Sequence, residues 1–117
     1  MVENESLAGA VTECDANPDG VAATTWQRCA NYYFMHFNSW EYIYHQNRDG
    51  SIPQQLWVGA DACFKTLVQI KPGYVRFWNE MEKAFDEPFR SYANQEFRRR
   101  AGFSTSKPEK ILFSQYS

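Results

Sequence analysis

The stretch WQRCANYYFMHFNSWEYIY, residues 26–44, decides how this chain folds. Its rings recur at Trp26, Tyr33, Phe37, Trp40 and Tyr44, with Ala30 filling the missing step. The intervals alternate between four and three, which lines these side chains along one stripe of an α-helix. A second line of Cys29, Tyr32, Met35 or His36, and Ile43 leaves the helix apolar around most of its girth. Such a helix lies at the centre of a bundle or under a partner. The pattern speaks to architecture and names no chemistry.

Working outward, the reading runs this helix from Val21 to Asn47, with Thr24 or Thr25 as its N-cap and Gly50 suited to the left-handed position after its end. Ser51 then caps a second helix, with Pro53 in its first turn. Leu56, Trp57, Ala60, Cys63, Phe64, Leu67 and Ile70 step along it until Lys71-Pro72-Gly73 breaks it. A short third helix spans Tyr74 to Phe85. Asp86 caps a fourth, which carries Phe89, Tyr92, Ala93, Glu96 and Phe97 and ends at Arg98-Arg99-Arg100 before Gly102.

Upstream, Leu7 to Cys14 has some helical character, but Asn17-Pro18-Asp19-Gly20 is a strong turn signal and reads as the edge of the domain. Short connections favour antiparallel neighbours. The expected fold is therefore all-α, an antiparallel bundle of about four helices with one long central aromatic-rich helix. It occupies residues 21–103, after a flexible segment over 1–20 and before a flexible tail over 104–117. The expected core is Trp26, Tyr33, Phe37, Trp40, Leu56, Trp57, Phe64, Leu67, Phe77, Trp78, Phe85 and Phe89.

Composition removes several functions. A net charge of −2 and a pI near 5.6 leave no positive field to draw nucleic acid or anionic lipid. No run approaches the roughly 20 apolar residues of a membrane-spanning helix. The start, Met1-Val2-Glu3-Asn4-Glu5-Ser6, has neither the basic leader nor the apolar stretch of a secretory signal. Cys14, Cys29 and Cys63 are odd in number and widely spaced, with no CxxC pair and no Cys/His cluster. They read as free thiols in a reducing compartment, with Cys29 and Cys63 in the core, Cys14 exposed, and no metal site. Cytoplasmic localisation is the matching expectation.

Few residues invite chemistry. Glu41, beside Trp40 in mid-helix, is a carboxylate flanked by rings and so a candidate acid or base. The competing reading is a structural ion pair with Arg76 or Arg90, because ion-pair networks imitate active sites. His36 and His45 stand on opposite sides of an ideal helix and cannot share a metal. Cys63 on an apolar face reads as an inert core thiol. Arg98-Arg99-Arg100, with Lys107 and Lys110 beyond, reads as a solvated helix end. Tyr32, Tyr33, Tyr42 and Tyr44 point in different directions, so some ring area stays outside the core and marks a binding face. The candidate ligand- or partner-binding set is Tyr32, Tyr33, His36, Trp40, Glu41, Tyr44 and Arg76, with no catalytic residue, metal or cofactor. Neither a phosphate-cradling glycine loop, a nucleophile elbow nor an acidic metal loop is present, which lowers the expectation of an enzyme.

Four groups of residues together resemble a family: Phe37-Asn38-Ser39-Trp40-Glu41; Asp49-Gly50-Ser51-Ile52-Pro53 with Leu56-Trp57; Pro72-Gly73 with Arg76-Phe77-Trp78; and Phe89-Arg90-Ser91-Tyr92. The resemblance is to an uncharacterised family of small all-helical bacterial domains, found as hypothetical proteins and often as the soluble part of membrane-anchored ones. It runs from Tyr33 to Tyr92, implies a helical fold and transfers no catalytic residue. This chain departs from the anchored members in having no hydrophobic N-terminal segment. The leading expectation for function is a non-catalytic interaction domain, self-associating as a homodimer through the long aromatic helix. The alternative is small-molecule binding or sensing in an aromatic pocket near Glu41.

Overall fold

A computed structural model describes residues 2–105, with side chains over 7–100. Among the described residues there are five α-helices: α1 (Val2–Ala16), α2 (Ala23–Asp49), α3 (Gln54–Ile70), α4 (Pro72–Met81) and α5 (Phe89–Thr105). Single 3-10 turns at Pro18–Gly20 and Glu82–Ala84 flank α2 and α4. The all-α expectation holds.

The punctuation in the sequence acts as chemistry requires, with shifts in detail. Gly50 ends α2 at φ 76°, and its N–H bonds the Asn47 carbonyl at 3.1 Å. Ser51 does not cap α3. Its N–H and hydroxyl both bond the Gln46 carbonyl, so it closes α2, and Pro53 takes the N-cap position of α3. Ala22, not Thr24 or Thr25, is the N-cap of α2. Lys71 is the single residue between α3 and α4, because Pro72 starts a helix as readily as it stops one. α5 continues through Gly102 to Thr105.

The aromatic core is spread over several helices, not carried by one. α2 supplies Trp26, Tyr33, Phe37 and Trp40; α3 Trp57; α4 Tyr74, Phe77 and Trp78; α5 Phe89, with Phe85 from the connection before it. Phe37 is the hub, with ring centroids 5.2 Å from Phe77, 5.3 Å from Trp78 and 6.2 Å from Phe97. Trp40 stacks on Phe64 at 5.4 Å and meets Phe89 edge-on at 5.3 Å. Each ring hides a large apolar area, so a few of them close a core in a small domain. Leu56 is a correction: it is 60% exposed, because the core side of α3 runs through Trp57, Asp61, Phe64 and Val68. Phe64 and Leu67 pack against the core and are only partly buried.

Residues before 21 are also part of the packing. α1 lies against α2 and α4, with Ala10 and Cys14 buried and Pro18 buried in the turn that follows. The Asn17-Pro18-Asp19-Gly20 signal is a turn between packed helices. Of the expected tail, residues 106–117 lie outside the described residues. The cysteine reading is overturned. Cys14 and Cys29 form a disulfide with Cα atoms 6.6 Å apart, both fully buried, and Cys63 is the exposed one. The pairing joins residues 15 apart from two different helices, which spacing alone does not announce.

Candidate functional site

The seven candidate residues fall into four places. The first is the junction of α1, α2 and α4. Tyr33 crosses from α2 and donates its hydroxyl to Asp15 at the end of α1, at 2.5 Å. The other oxygen of Asp15 faces Lys71 Nζ at 3.5 Å. Tyr32 stacks over His36 with centroids 4.3 Å apart, and His36 Nδ1 lies 3.0 Å from the Tyr74 hydroxyl, the ring tautomer deciding which donates. Gly73 permits this convergence: a Cβ there would sit 2.5 Å from the Cys14 carbonyl oxygen and would also strike the Tyr33 hydroxyl. Beside the cluster, a cleft of about 420 Å³ is lined by Thr12, Asp15, Ala16, Ile70, Lys71 and Pro72.

The electrostatics of this junction favour neutral rings. Burial first, then the Asp15 hydrogen bond and charge, push the Tyr33 phenol far above its ordinary range. Burial likewise raises Tyr74, with Tyr32, Asp15 and Cys63 adding to it, and raises Tyr32. Burial lowers His36, against the pull of Asp15. Protonated phenols and an uncharged imidazole make a hydrogen-bonding lining. Phenols held this far above their ordinary range stay protonated and are not activated as nucleophiles.

The second place is inside the bundle. Trp40 donates its indole N–H to Asp61 at 3.0 Å, Tyr92 donates its hydroxyl to the other Asp61 oxygen at 2.7 Å, and Lys65 closes on that oxygen at 3.0 Å. Burial and the Asp61 hydrogen bond push Tyr92 up to about 12. Burial pulls the Lys65 amine down, but its bonds to Tyr92 and Asp61 outweigh that and leave it raised. Tyr44 packs on Tyr92 at 4.9 Å. This network ties α2, α3 and α5 together.

Glu41 and Arg76 occupy the two remaining places and do not meet. Glu41 accepts the Asp86 backbone N–H at 3.1 Å and lies 3.9 Å from His45. The expected pairing with Arg76 or Arg90 is not made. Arg76 bonds Glu80 at 2.8 Å and the Pro18 carbonyl at 2.8 Å, and covers the Trp26 ring at 4.1 Å. Arg90 turns to Glu87, at 3.5 Å. The reason is reach: Glu80 stands one turn from Arg76 on α4, and Glu87 three residues from Arg90. Trp26 also donates to Glu80, at 2.9 Å, and these two bonds outweigh burial and lower the Glu80 carboxyl.

The structure thus groups Tyr32, Tyr33 and His36, separates Trp40 with Tyr44, and leaves Glu41 and Arg76 apart. Sequence reasoning missed Asp15, Asp61, Lys71, Tyr74 and Tyr92. One of them carried a signal: Asp61 sits in step with Trp57, Phe64 and Val68, a charge on the buried line of a helix. Asp15, on a polar stretch before a turn, carried none.

Among the described residues no three His, Cys, Asp or Glu side chains converge as a metal site, and no helix is long and apolar enough to cross a membrane. Compared with known proteins, the chain matches no protein-family model, no curated protein and no solved structure. What stands is a compact, aromatic-rich helical bundle without a recognisable family.

Proposed function

We propose that the chain is a non-catalytic helical interaction domain that meets a second copy of itself through the outer flank of α3. The observation that carries this is apolar surface where charge is scarce. Leu56 and Ile70 are 60% and 61% exposed. The two charged residues of α3, Asp61 and Lys65, are engaged with each other. Leu56, Cys63 and Ile70 recur every seven residues, the spacing of a helix-pairing seam. Interface centres are depleted of charge in the same way. The aromatic stripe of α2 serves this role less well than expected, since Tyr33, Phe37 and Trp40 are consumed by the core.

The spacing also suggests geometry. Leu56 and Ile70 lie equally far from Cys63, so a two-fold antiparallel pairing sets Leu56 against Ile70 and the two Cys63 thiols opposite each other. Native mass spectrometry over a concentration series, with a short bismaleimide, tests this. A dimer linked through Cys63 and lost in Leu56→Glu is the expected result. A monomer at every concentration defeats it.

A second reading, small-molecule binding, draws support from the cleft beside Asp15 and Lys71, not from the surroundings of Glu41. Its lining sets an acid and a base, Asp15 and Lys71, beside apolar Ile70 and Pro72, which suits a small zwitterion with an apolar body. Calorimetric titration with free amino acids tests it. The Cys14–Cys29 bond further supports a compartment in which disulfides persist, against the cytoplasmic expectation.

A further inference from the structure

We infer that α1 is a strap latched by the Cys14–Cys29 disulfide, and that reduction releases it from a body, α2–α5, that stays folded. The inference is independent of the self-association reading. It starts from how little α1 gives the core. Among its described side chains, those buried in the core are Ala10 and Cys14, with Val11 packed against it and partly covered, and the core rings belong to other elements. α1 is also weak on its own. Gly9 interrupts it, and Glu13 and Asp15 place negative charge at the negative end of the helix dipole with no basic residue in the last turn. A 15-residue helix of this kind does not persist alone in water.

Among the described residues, the fasteners cluster at the C-terminal end of α1 and the turn after it. Within five positions the chain makes the disulfide at Cys14, the Tyr33 and Lys71 contacts at Asp15, and the Arg76 bond to the Pro18 carbonyl. The Cys14 carbonyl presses on Gly73. These are a covalent bond and a few polar contacts around it. Cutting the bond leaves the end of α1 held to Tyr33 and Lys71 by the Asp15 carboxylate alone.

The chemistry balances with a dithiol as reductant. One thiolate of the dithiol attacks a sulfur of the protein disulfide, and the other cysteine leaves as a thiolate and takes a proton. The second thiol of the reductant then displaces the mixed disulfide. Two protein thiols form and the dithiol becomes a disulfide. Because both sulfurs are fully buried, the reductant reaches them only when the end of α1 lifts, so opening and reduction are coupled.

Hydrogen exchange with mass spectrometry on the full chain tests the strap, comparing the oxidised protein, the protein reduced by dithiothreitol, and the Cys14→Ser/Cys29→Ser variant. The loop closed by the bond has a sequence separation of 15. Its loss is expected to speed exchange of the α1 amides about a hundredfold, with α2–α5 unchanged. Unchanged α1 exchange in the double variant overturns the inference. So does uniform acceleration across all five helices, which makes the bond a general staple. The double variant decides the matter even where the buried bond resists the reductant.

Discussion

The indole N–H of Trp40 points at the Asp61 carboxylate from 3.0 Å, and both residues are buried. A charge inside a hydrophobic core is costly unless its oxygens are fully engaged. Here they are: Trp40 takes one, and Tyr92 and Lys65 share the other. Asp61→Ala leaves the buried Trp40 indole N–H and the Tyr92 hydroxyl without their acceptor. We expect a loss of about 3 kcal/mol. Urea denaturation measures it, and a midpoint equal to wild type counts against the network.

Alkaline pH should unfold the domain. Tyr92 is held up to about 12 against an ordinary 10.0, and Tyr32, Tyr33 and Tyr74 are raised as well. A phenol whose folded pKa exceeds its unfolded one contributes stability that is whole below 10.0 and is lost as pH climbs through the raised value. His36 works at the other end. Its pKa is lowered, so its share is present above 6.5 and is lost as pH falls through the depressed value. Phenolate absorbance followed together with far-ultraviolet circular dichroism checks the alkaline limb. Phenols that all titrate near 10.0 in the folded protein reject it.

Two substitutions separate core from surface. Trp40→Ala removes a ring that touches Phe37, Phe64 and Phe89, at a cost of roughly 3–5 kcal/mol. That is much of the stability of a domain this size, and no cooperative melt is expected. Met35→Lys, on the exposed side of α2 and away from the α3 flank, should change stability by no more than about 0.5 kcal/mol. Thermal melts of the two proteins side by side give the answer.

Three glycines should respond to alanine in three ways. Gly73→Ala drives a methyl into the Cys14 carbonyl, a backbone atom that cannot step aside, and should cost about 1–3 kcal/mol. Gly50→Ala forces φ 76° on a residue with a side chain and should cost about 1 kcal/mol. Gly59→Ala meets nothing within 4 Å inside α3 and should stabilise by about 1 kcal/mol. Denaturant midpoints rank the three, and a stabilising Gly73→Ala contradicts the close approach of α1 and α4.

Periodicity made α2 legible, because rings four and three apart have only one helical face to share. The end of α2 was legible for a different reason: Gly50 is the residue that tolerates a left-handed turn. Long-range pairing was not legible. Nothing in Cys14 or Cys29 alone says that α1 folds back over α2, and a turn signal such as Asn17-Pro18 reads the same at a domain edge and between packed helices. Glu41 shows the limit for the candidate site. Its neighbours in sequence are aromatic, yet its partner is the main chain at Asp86, a contact set by tertiary packing alone.

The bonds made by three of the tryptophans each cross a different seam. Trp26 on α2 donates to Glu80 on α4, Trp40 on α2 to Asp61 on α3, and Trp78 on α4 to Asn94 on α5. Nature has thereby placed a fluorophore on each of three joints. Variants that keep one indole at a time turn the emission spectrum into a record of which joint parts first, and in what order the molecule comes undone.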